Sequence, residues 1–443
     1  MRALRTGLAL AAVAVLAAAC TTPRYDVDPL PGPRPGTTRP IPPQPTTPRP
    51  STPRPTTPRP TQPSTPAPPE TTATFRLDGA AFTDLPGWTA AEATAARDAF
   101  RRHCALWSRR DPQTLLTRVE GAYGGRIADW LPACEAARTE GDARAFFETR
   151  FQPWRVGSEG GEARLTAYYA PSIEARRAAE PGFTEPLIPT PSDLLIVDIP
   201  EFARALDSET LRKAGAALKG RLRGNRVVPY ADRAEIARAG HRAFAWAHPA
   251  DVYNLQVQGS GRMTLPGGET RCAAFAEQNG YRWRSVIGQV NKRPDWPRNP
   301  AGTWASLRQY FDEHPGTVRQ DLDLDPSYVF FQEKPVGEGG GCATGASGAL
   351  LVGGGSLAID PRYHPYGVPI FVADPTGAAA QLPRLVIAQD TGGAIRRGPL
   401  RGDLFVGEGP EAGRTAERIN IAGPAFWVLL PKGMQPAPSS SLP

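Results

Sequence analysis

The stretch from Ser356 to Gly407 decides how this chain is read. It contains Ser356-Leu357-Ala358-Ile359-Asp360-Pro361, then Ala388-Gln389-Asp390-Thr391-Gly392-Gly393-Ala394-Ile395, then Arg401-Gly402-Asp403-Leu404-Phe405. Three aspartates thus sit in turn or strand-end contexts, and the apolar run Leu385–Ala388 leads straight into Asp390. A short apolar run bounded by turn residues reads as a buried strand. That places the Asp390 carboxylate at the mouth of a barrel, not at a solvated loop tip. Gly392 and Gly393 let the backbone turn sharply and leave room for a ligand. Asp390 could also cap the turn that follows, and the two roles can coexist. Neighbouring buried carboxylates hold one pKa high by like-charge repulsion and desolvation. That is the state a general acid needs near neutral pH. Glycosidases commonly use two such groups, one on each side of the scissile bond. The three aspartates permit that chemistry without identifying the reaction.

Working outward, the texture from Leu165 is of short apolar or alternating runs: Leu165–Tyr169, Leu194–Ile199, Val252–Val257 and Tyr328–Phe331. Many short strands with Gly, Pro and Asp punctuation argue a sandwich or barrel. Ser208–Leu218, Asp232–Ala239 and Ala305–Phe311 read as short helices. The Gly-rich stretch Gly337–Gly355 lacks the GK[ST] ending of a phosphate loop, so its glycines serve tight turns and close backbone approach. Upstream, Thr89-Ala90-Ala91-Glu92 matches a capping box, followed by Phe100, Cys104 and Trp107 at helical spacing. A second helix is expected to start at Asp142, with Phe146, Phe147 and Phe151 behind it. Trp88, Trp107 and Trp130 are expected in the core.

Of the 50 prolines in 443 residues, 19 fall between Thr21 and Glu70, with six arginines, three acids and almost no large apolar residue. Such a segment cannot bury enough surface to offset its ordering entropy. Dense proline favours an extended polyproline stalk. The net charge of +7 is only mildly basic once the stalk is set aside, so nucleic acid is not an expected partner. No HExxH or CxxC pattern occurs among the five histidines and five cysteines, so a metal site is not expected. Cys104 and Cys134 share the helical unit and form the favoured disulfide pair. Cys272 and Cys342 could pair or remain thiols.

The first residues carry Arg2 and Arg5, then an almost wholly Ala, Val and Leu run from Leu8 to Ala19, then Cys20. A basic segment followed by a short apolar one reads as a secretory signal. Leu16-Ala17-Ala18-Ala19-Cys20 resembles a bacterial lipoprotein cleavage site. The resemblance implies cleavage before Cys20 and acylation there, which anchors the chain to a lipid bilayer. Thr21 stands where an inner-membrane retention pattern would show Asp. That favours the periplasmic face of the outer membrane within the cell envelope.

SLAIDP at Asp360, QDTGGAI at Asp390 and RGDLF at Asp403 resemble the three-aspartate barrel of the membrane-bound lytic murein transglycosylase A family. The likeness extends to PWRV at Pro153–Val156, TAYYAPSIEA at Thr166–Ala175, TPSDLL at Thr190–Leu195 and RVVPYADRAEI at Arg226–Ile236. It continues through NLQVQGSGRM at Asn254–Met263, NGYRWRSVIG at Asn279–Gly288, YVFF at Tyr328–Phe331 and FWVLLPKG at Phe426–Gly433. It spans roughly Phe82 to Gly433. Ala167 stands where the family usually has Gly.

The fold this implies is mainly β with peripheral helices: a double-psi β-barrel, a second inserted β-barrel-like domain, and a groove between them for glycan. The expected organisation is a signal peptide at 1–19, a lipidated stalk at 20–72 and a helical part at 73–164. An inserted β-domain at 165–250, the main barrel at 251–433 and a tail at 434–443 follow. The implied activity is non-hydrolytic cleavage of the β-1,4 bond between N-acetylmuramic acid and N-acetylglucosamine in peptidoglycan, with a 1,6-anhydro product. Asp390 would act as acid then base, Asp403 would support it, and Asp360 would support it or organise its turn. The resemblance implies that no cofactor is needed; the partners are peptidoglycan glycan strands, and a place in assemblies of wall enzymes is compatible with catalysis. A peptidoglycan hydrolase and a non-catalytic wall-binding barrel are the competing readings.

Sugar contacts are expected from Gln256 and Gln258, which strand alternation would set on one face, and from Ser260, Gln389, Gly392 and Gly393. Tyr168 and Tyr169 point to opposite faces of a regular strand, so at most one faces the groove, and Tyr168 is the candidate.

Overall fold

Apolar residues recurring at three and four positions make one face of a helix burial-competent, and Thr94–Trp107 uses that face. It buries Ala96, Ala99, Phe100, His103, Cys104 and Trp107. This is a computed structural model that describes residues 74–436, except 118–122, 140, 215–216, 298–302, 378, 380–381 and 396. The expected signal segment, Cys20 and the proline stalk lie outside the described residues.

The helix begins later than the Thr89 capping box implies. Trp88–Ala90 forms a 3-10 turn, and the Glu92 carboxylate accepts from the Thr94 amide at 2.5 Å. Trp88 is the physical reason. Its ring is buried against Phe82 at 4.8 Å and its indole N–H donates to Glu148 at 2.7 Å, which holds the turn apart from the helix. Asp142 caps Ala143–Arg150, accepting from the Ala145 amide at 2.7 Å. Phe146, Phe147 and Phe151 surround Phe100 with centroids 5.9, 6.5 and 5.7 Å away. A Cys104–Cys134 disulfide ties the first helix to Ile127–Thr139.

Among the described residues, the main sheet has nine strands. From one edge they are Arg76–Gly79, Phe151–Gly157, Ala425–Pro431, Pro369–Ala373, Arg384–Asp390, Ser356–Ile359, Arg401–Glu408, Arg164–Ala170 and Asn420–Ala422. Ser356–Ile359 runs parallel to Arg384–Asp390, and Arg401–Glu408 runs parallel to Arg164–Ala170. These pairings cross between distant parts of the chain. Pro369–Ala373 and most of Ala425–Pro431 are buried, as expected where a barrel is covered outside by helices.

The chain leaves this sheet after Ala170 and returns at Ser356. In between it builds a six-stranded sheet in the order Val329–Lys334, Thr270–Gln278, Gly261–Thr264, Ser172–Arg176, Ala245–Ala247, Glu185–Leu187. A three-stranded sheet of Leu195–Val197, Leu218–Arg223 and Arg226–Pro229 sits beside it. The expected boundary at 250 therefore cuts through the six-stranded sheet. The pairing that disproves it, Met263 with Ile173, joins residues far apart in the chain, and local patterns do not reveal such pairs.

Two further expectations are corrected. Val252–Val257 lies inside the helix Pro249–Gln258, which has Pro249 in its first turn, His248 accepting from the Ala250 amide at 3.2 Å, and Gly259 closing it at φ 91°. The helix is buried on most sides, so its sequence reads as an apolar run that period alone cannot assign. The expected Ser208–Leu218 helix is shorter, Glu209–Ala214, because Leu218 already starts a strand.

Candidate active site

The short strand Ser356–Ile359 lies between two carriers of carboxylate. Ala358 is opposite Asp390 on one side and opposite Asp403 on the other. Directly opposed residues share a sheet face, so both carboxylates flank one small methyl group. A register shift between Leu357 and Ala358 skips Gln389 in that pairing. Such a bulge re-aims the residue that follows it. Here Gln389 turns inward and Asp390 reaches the barrel mouth.

Both oxygens of Asp390 are held. Oδ2 accepts from the Tyr168 hydroxyl at 2.7 Å. Oδ1 accepts from the amides of Ala346 and Thr391, each at 2.8 Å. Tyr168 comes from Arg164–Ala170, where it pairs with Phe405 and packs its ring 5.3 Å from that residue's. Thr166 on the same strand pairs with Asp403 and donates its hydroxyl to Oδ1 at 2.5 Å.

Ala346 arrives from the Gly-rich stretch, and Gly345 explains how. A Cβ at Gly345 would lie 2.4 Å from the Gln389 carbonyl oxygen, so only glycine lets the loop approach. The Ser347 amide donates to that same carbonyl at 3.1 Å. The base of the loop is tied by the Cys272–Cys342 disulfide. Glu408 accepts there from the Cys342 and Ala343 amides at 2.6 and 3.3 Å, and its other oxygen meets Arg262 at 3.1 Å.

Burial pushes the Asp390 carboxyl above the usual carboxylate range, while its donors from Tyr168, Ala346 and Thr391 pull it back. Burial raises Asp403 to about 6; Thr166 and Arg401 oppose the shift and Asp390 adds to it. The Tyr168 phenol is pushed well up by burial and by both carboxylates, so it stays protonated. A phenol can donate to an ionised Asp390 or accept from a protonated one, and it therefore serves both states.

The Asp403 shift has a measurable sign. A carboxyl raised by folding contributes its stability fully below the unfolded value of 3.8 and loses it as pH climbs through about 6. Wild type should therefore lose about 2 kcal/mol relative to Asp403→Asn between pH 4 and pH 7. Paired thermal melts at those pH values check this, and a pH-independent difference contradicts it.

The remaining expected site residues separate. Asp360 is fully buried, and its described hydrogen bonds go to neither Asp390 nor Asp403. It binds Arg362, at 2.7 Å to Nη2, and accepts from the Gly398 amide at 3.2 Å. His364 donates from Nε2 to the Pro399 carbonyl at 2.7 Å while Nδ1 accepts from Tyr123 at 2.6 Å. Burial lowers its pKa to about 4 and keeps it neutral. Together these groups pin the turn ahead of Arg401–Glu408, and so position Asp403.

Gln389 is not a sugar contact. It is buried, with its amide oxygen accepting from Ser356 at 2.6 Å and its nitrogen donating to the Ala99 carbonyl at 2.9 Å. Gln256 and Gln258 do not share a strand face, because they lie on a helix, where positions two apart diverge. The buried Gln256 accepts from Arg233 at 2.6 Å, whereas Gln258 accepts from the Tyr169 amide at 3.2 Å beside the main sheet. Ser260 is buried just past that helix. Tyr169 takes the other face from Tyr168, its hydroxyl accepting from Asn254 at 2.8 Å. At Gly393 a Cβ would meet nothing within 4 Å, and at Gly392 only ordinary contact with Ile395. Neither glycine is sterically required, and both leave open space. Among the described residues no group of three or more His, Cys, Asp or Glu is arranged to hold a metal ion.

Comparison with known proteins meets this geometry at both sheets. The family model "MltA specific insert domain" matches residues 164–332, and the "3D domain" model matches 355–429. The membrane-bound lytic murein transglycosylase A of Escherichia coli (strain K12) is 28% identical over 318 residues, 69% of this chain and 77% of that protein. The chain belongs to the membrane-bound lytic murein transglycosylase A family. The crystal structure of a membrane-bound lytic murein transglycosylase from Agrobacterium tumefaciens matches with TM-score 0.64 at 27% identity, over 80% of this chain and 98% of that one. MltA from Neisseria gonorrhoeae matches with TM-score 0.65 at 27% identity, over 83% and 95%. The architecture is thus the double-psi β-barrel with an inserted barrel domain. The extent of the insert-domain match agrees with the six-stranded sheet and not with an insert ending at 250.

Sequence reading missed Ala346, Gly345, Thr166 and Glu408. The first acts through its backbone amide, which has no side-chain signature. The Gly-rich stretch was the one available hint.

Proposed function

We infer that this protein is a peptidoglycan lytic transglycosylase that cleaves the β-1,4 bond between N-acetylmuramic acid and N-acetylglucosamine and leaves a 1,6-anhydromuramoyl end. The observation that carries the reading is Asp390: a buried carboxyl with its pKa raised, at a strand end, held by Tyr168 and two backbone amides. Protonated Asp390 donates to the glycosidic oxygen as positive charge grows at C1. Ionised Asp390 then takes the proton from the muramoyl C6 hydroxyl, which attacks C1 of its own sugar. One carboxyl serves both steps because the first leaves it ready for the second. The attack is intramolecular and gains from proximity.

Burial favours the acid half of this cycle, and the three donors favour the base half. Asp403 tunes the balance as a second charge. Tyr168, Gln258 and the open space at Gly392 and Gly393 are assigned to the glycan. Asp360 is a positioning residue.

Asp403, raised to about 6, is the observation that keeps a two-carboxylate hydrolase as the second reading. Mass spectrometry of purified peptidoglycan digested by the protein separates the two. Products lighter by one water than the reducing muropeptides support the lyase; reducing ends alone overturn it.

The protein works in the cell envelope in association with a membrane. Acylation of Cys20, with attachment to the periplasmic face of the outer membrane, is the finer reading, supported by the Leu16–Cys20 sequence. A fatty-acid probe should label the wild type and not Cys20→Ser; equal labelling rejects the anchor.

A further inference from the structure

Beside the insert, the three-stranded sheet leaves an apolar face uncovered. Val197 is opposite Leu218, Leu195 opposite Gly220, and Leu222 opposite Val227. Opposed residues share a face, so one side of this sheet is aliphatic. Leu218, Leu222 and Val227 are 59%, 64% and 53% exposed. The other side carries the cations Lys219, Arg221, Arg223 and Arg226, with Ile196 opposite Lys219 and Val228 opposite Arg221.

The cations are not equivalent. Lys219 pairs with Glu277 at 2.7 Å and Arg221 with Glu235 at 3.3 Å. At the tip, Arg223 and Arg226 lie directly opposite each other across the turn at Gly224, φ 61°. Among the described residues neither has a carboxylate partner. Like charges directly opposed destabilise a hairpin, and contiguous exposed apolar surface is uncommon on a protein that meets only water. Both features are relieved by one kind of neighbour, an apolar layer bounded by anions.

We propose that the Leu218–Pro229 hairpin docks on an anionic phospholipid bilayer. Leu222 and Val227 enter the headgroup–acyl boundary, and Arg223 and Arg226 pair with lipid phosphates. The aliphatic face lacks the Tyr and Trp that anchor protein interfaces, and a neutral glycan would leave both arginines uncompensated. Arginine also suits phosphate through its planar fork of donors. Among the described residues no helix is long and apolar enough to cross a membrane, so the contact is interfacial. It is separate from any acyl anchor and would set how the insert stands above the lipid.

Hydrogen exchange of the 218–229 peptide, read by mass spectrometry on the full-length protein in lipid nanodiscs, tests this. Phosphatidylglycerol-containing discs should slow exchange several-fold relative to phosphatidylcholine discs. Arg223→Glu with Arg226→Glu should abolish the difference, while Lys432→Glu, on the main barrel, should keep it. Three results would each overturn the proposal: equal exchange in both discs, protection that survives charge reversal, or protection that appears only when peptidoglycan fragments are added.

Discussion

Asp390→Asn should lower turnover on purified peptidoglycan by roughly 10²–10⁴-fold or more, the range expected when general acid–base transfer is lost. The substitution preserves size and an acceptor for the Ala346 and Thr391 amides. The new amide nitrogen faces Tyr168, whose hydroxyl can turn from donor to acceptor. The variant should therefore fold, and a matched thermal melt verifies it. Glycan binding should fall far less than turnover, because it does not depend on the proton. Anhydro product formed at near wild-type rate by folded Asp390→Asn would remove this residue from the reaction. Retained binding with absent product would place it on the chemical step.

Breaking the Cys272–Cys342 link should produce two separable losses. It closes a sequence separation of 70 residues, for which chain entropy gives about 4 kcal/mol of stability. Cys342 is also adjacent to the loop that delivers the Ala346 amide to Asp390. Loosening that loop weakens a hydrogen bond to a charged group, a contribution of about 1.5–3 kcal/mol. The double variant Cys272→Ser with Cys342→Ser should therefore lose about 10–100-fold in kcat even at temperatures where it stays folded. Cys104→Ser with Cys134→Ser is the comparison. That link spans 30 residues between two helices and does not itself bridge to the Gly-rich loop that carries Ala346. Its loss should cost about 2–5 kcal/mol of stability and leave kcat of the folded fraction nearly unchanged. Equal kcat in the two double variants would show that the Gly-rich loop does not need its tether.

Local chemistry made much of this molecule legible from sequence alone. Asp142 before an apolar helical face, the strand Arg384–Asp390 ending in a carboxylate, and the opposed directions of Tyr168 and Tyr169 all depend on residues a few positions apart. So does the placement of Trp88, Trp107 and Trp130 in the core. Periodicity and capping act over that range, so a linear reading captures them. Tertiary structure alone decided the rest. The bulge that buries Gln389 and presents Asp390 exists because Ser356–Ile359 pairs there. The tuning of Asp403 comes from burial and from Thr166, Arg401 and Asp390. The Ala346 amide reaches Asp390 because Gly345 admits the loop against Gln389. Helix Pro249–Gln258 and the insert's sheet were misread for the same reason: surroundings contributed from elsewhere in the chain set their state. Backbone donors, desolvation and non-local pairing are properties of position in space, and residue identities encode them only through the finished fold.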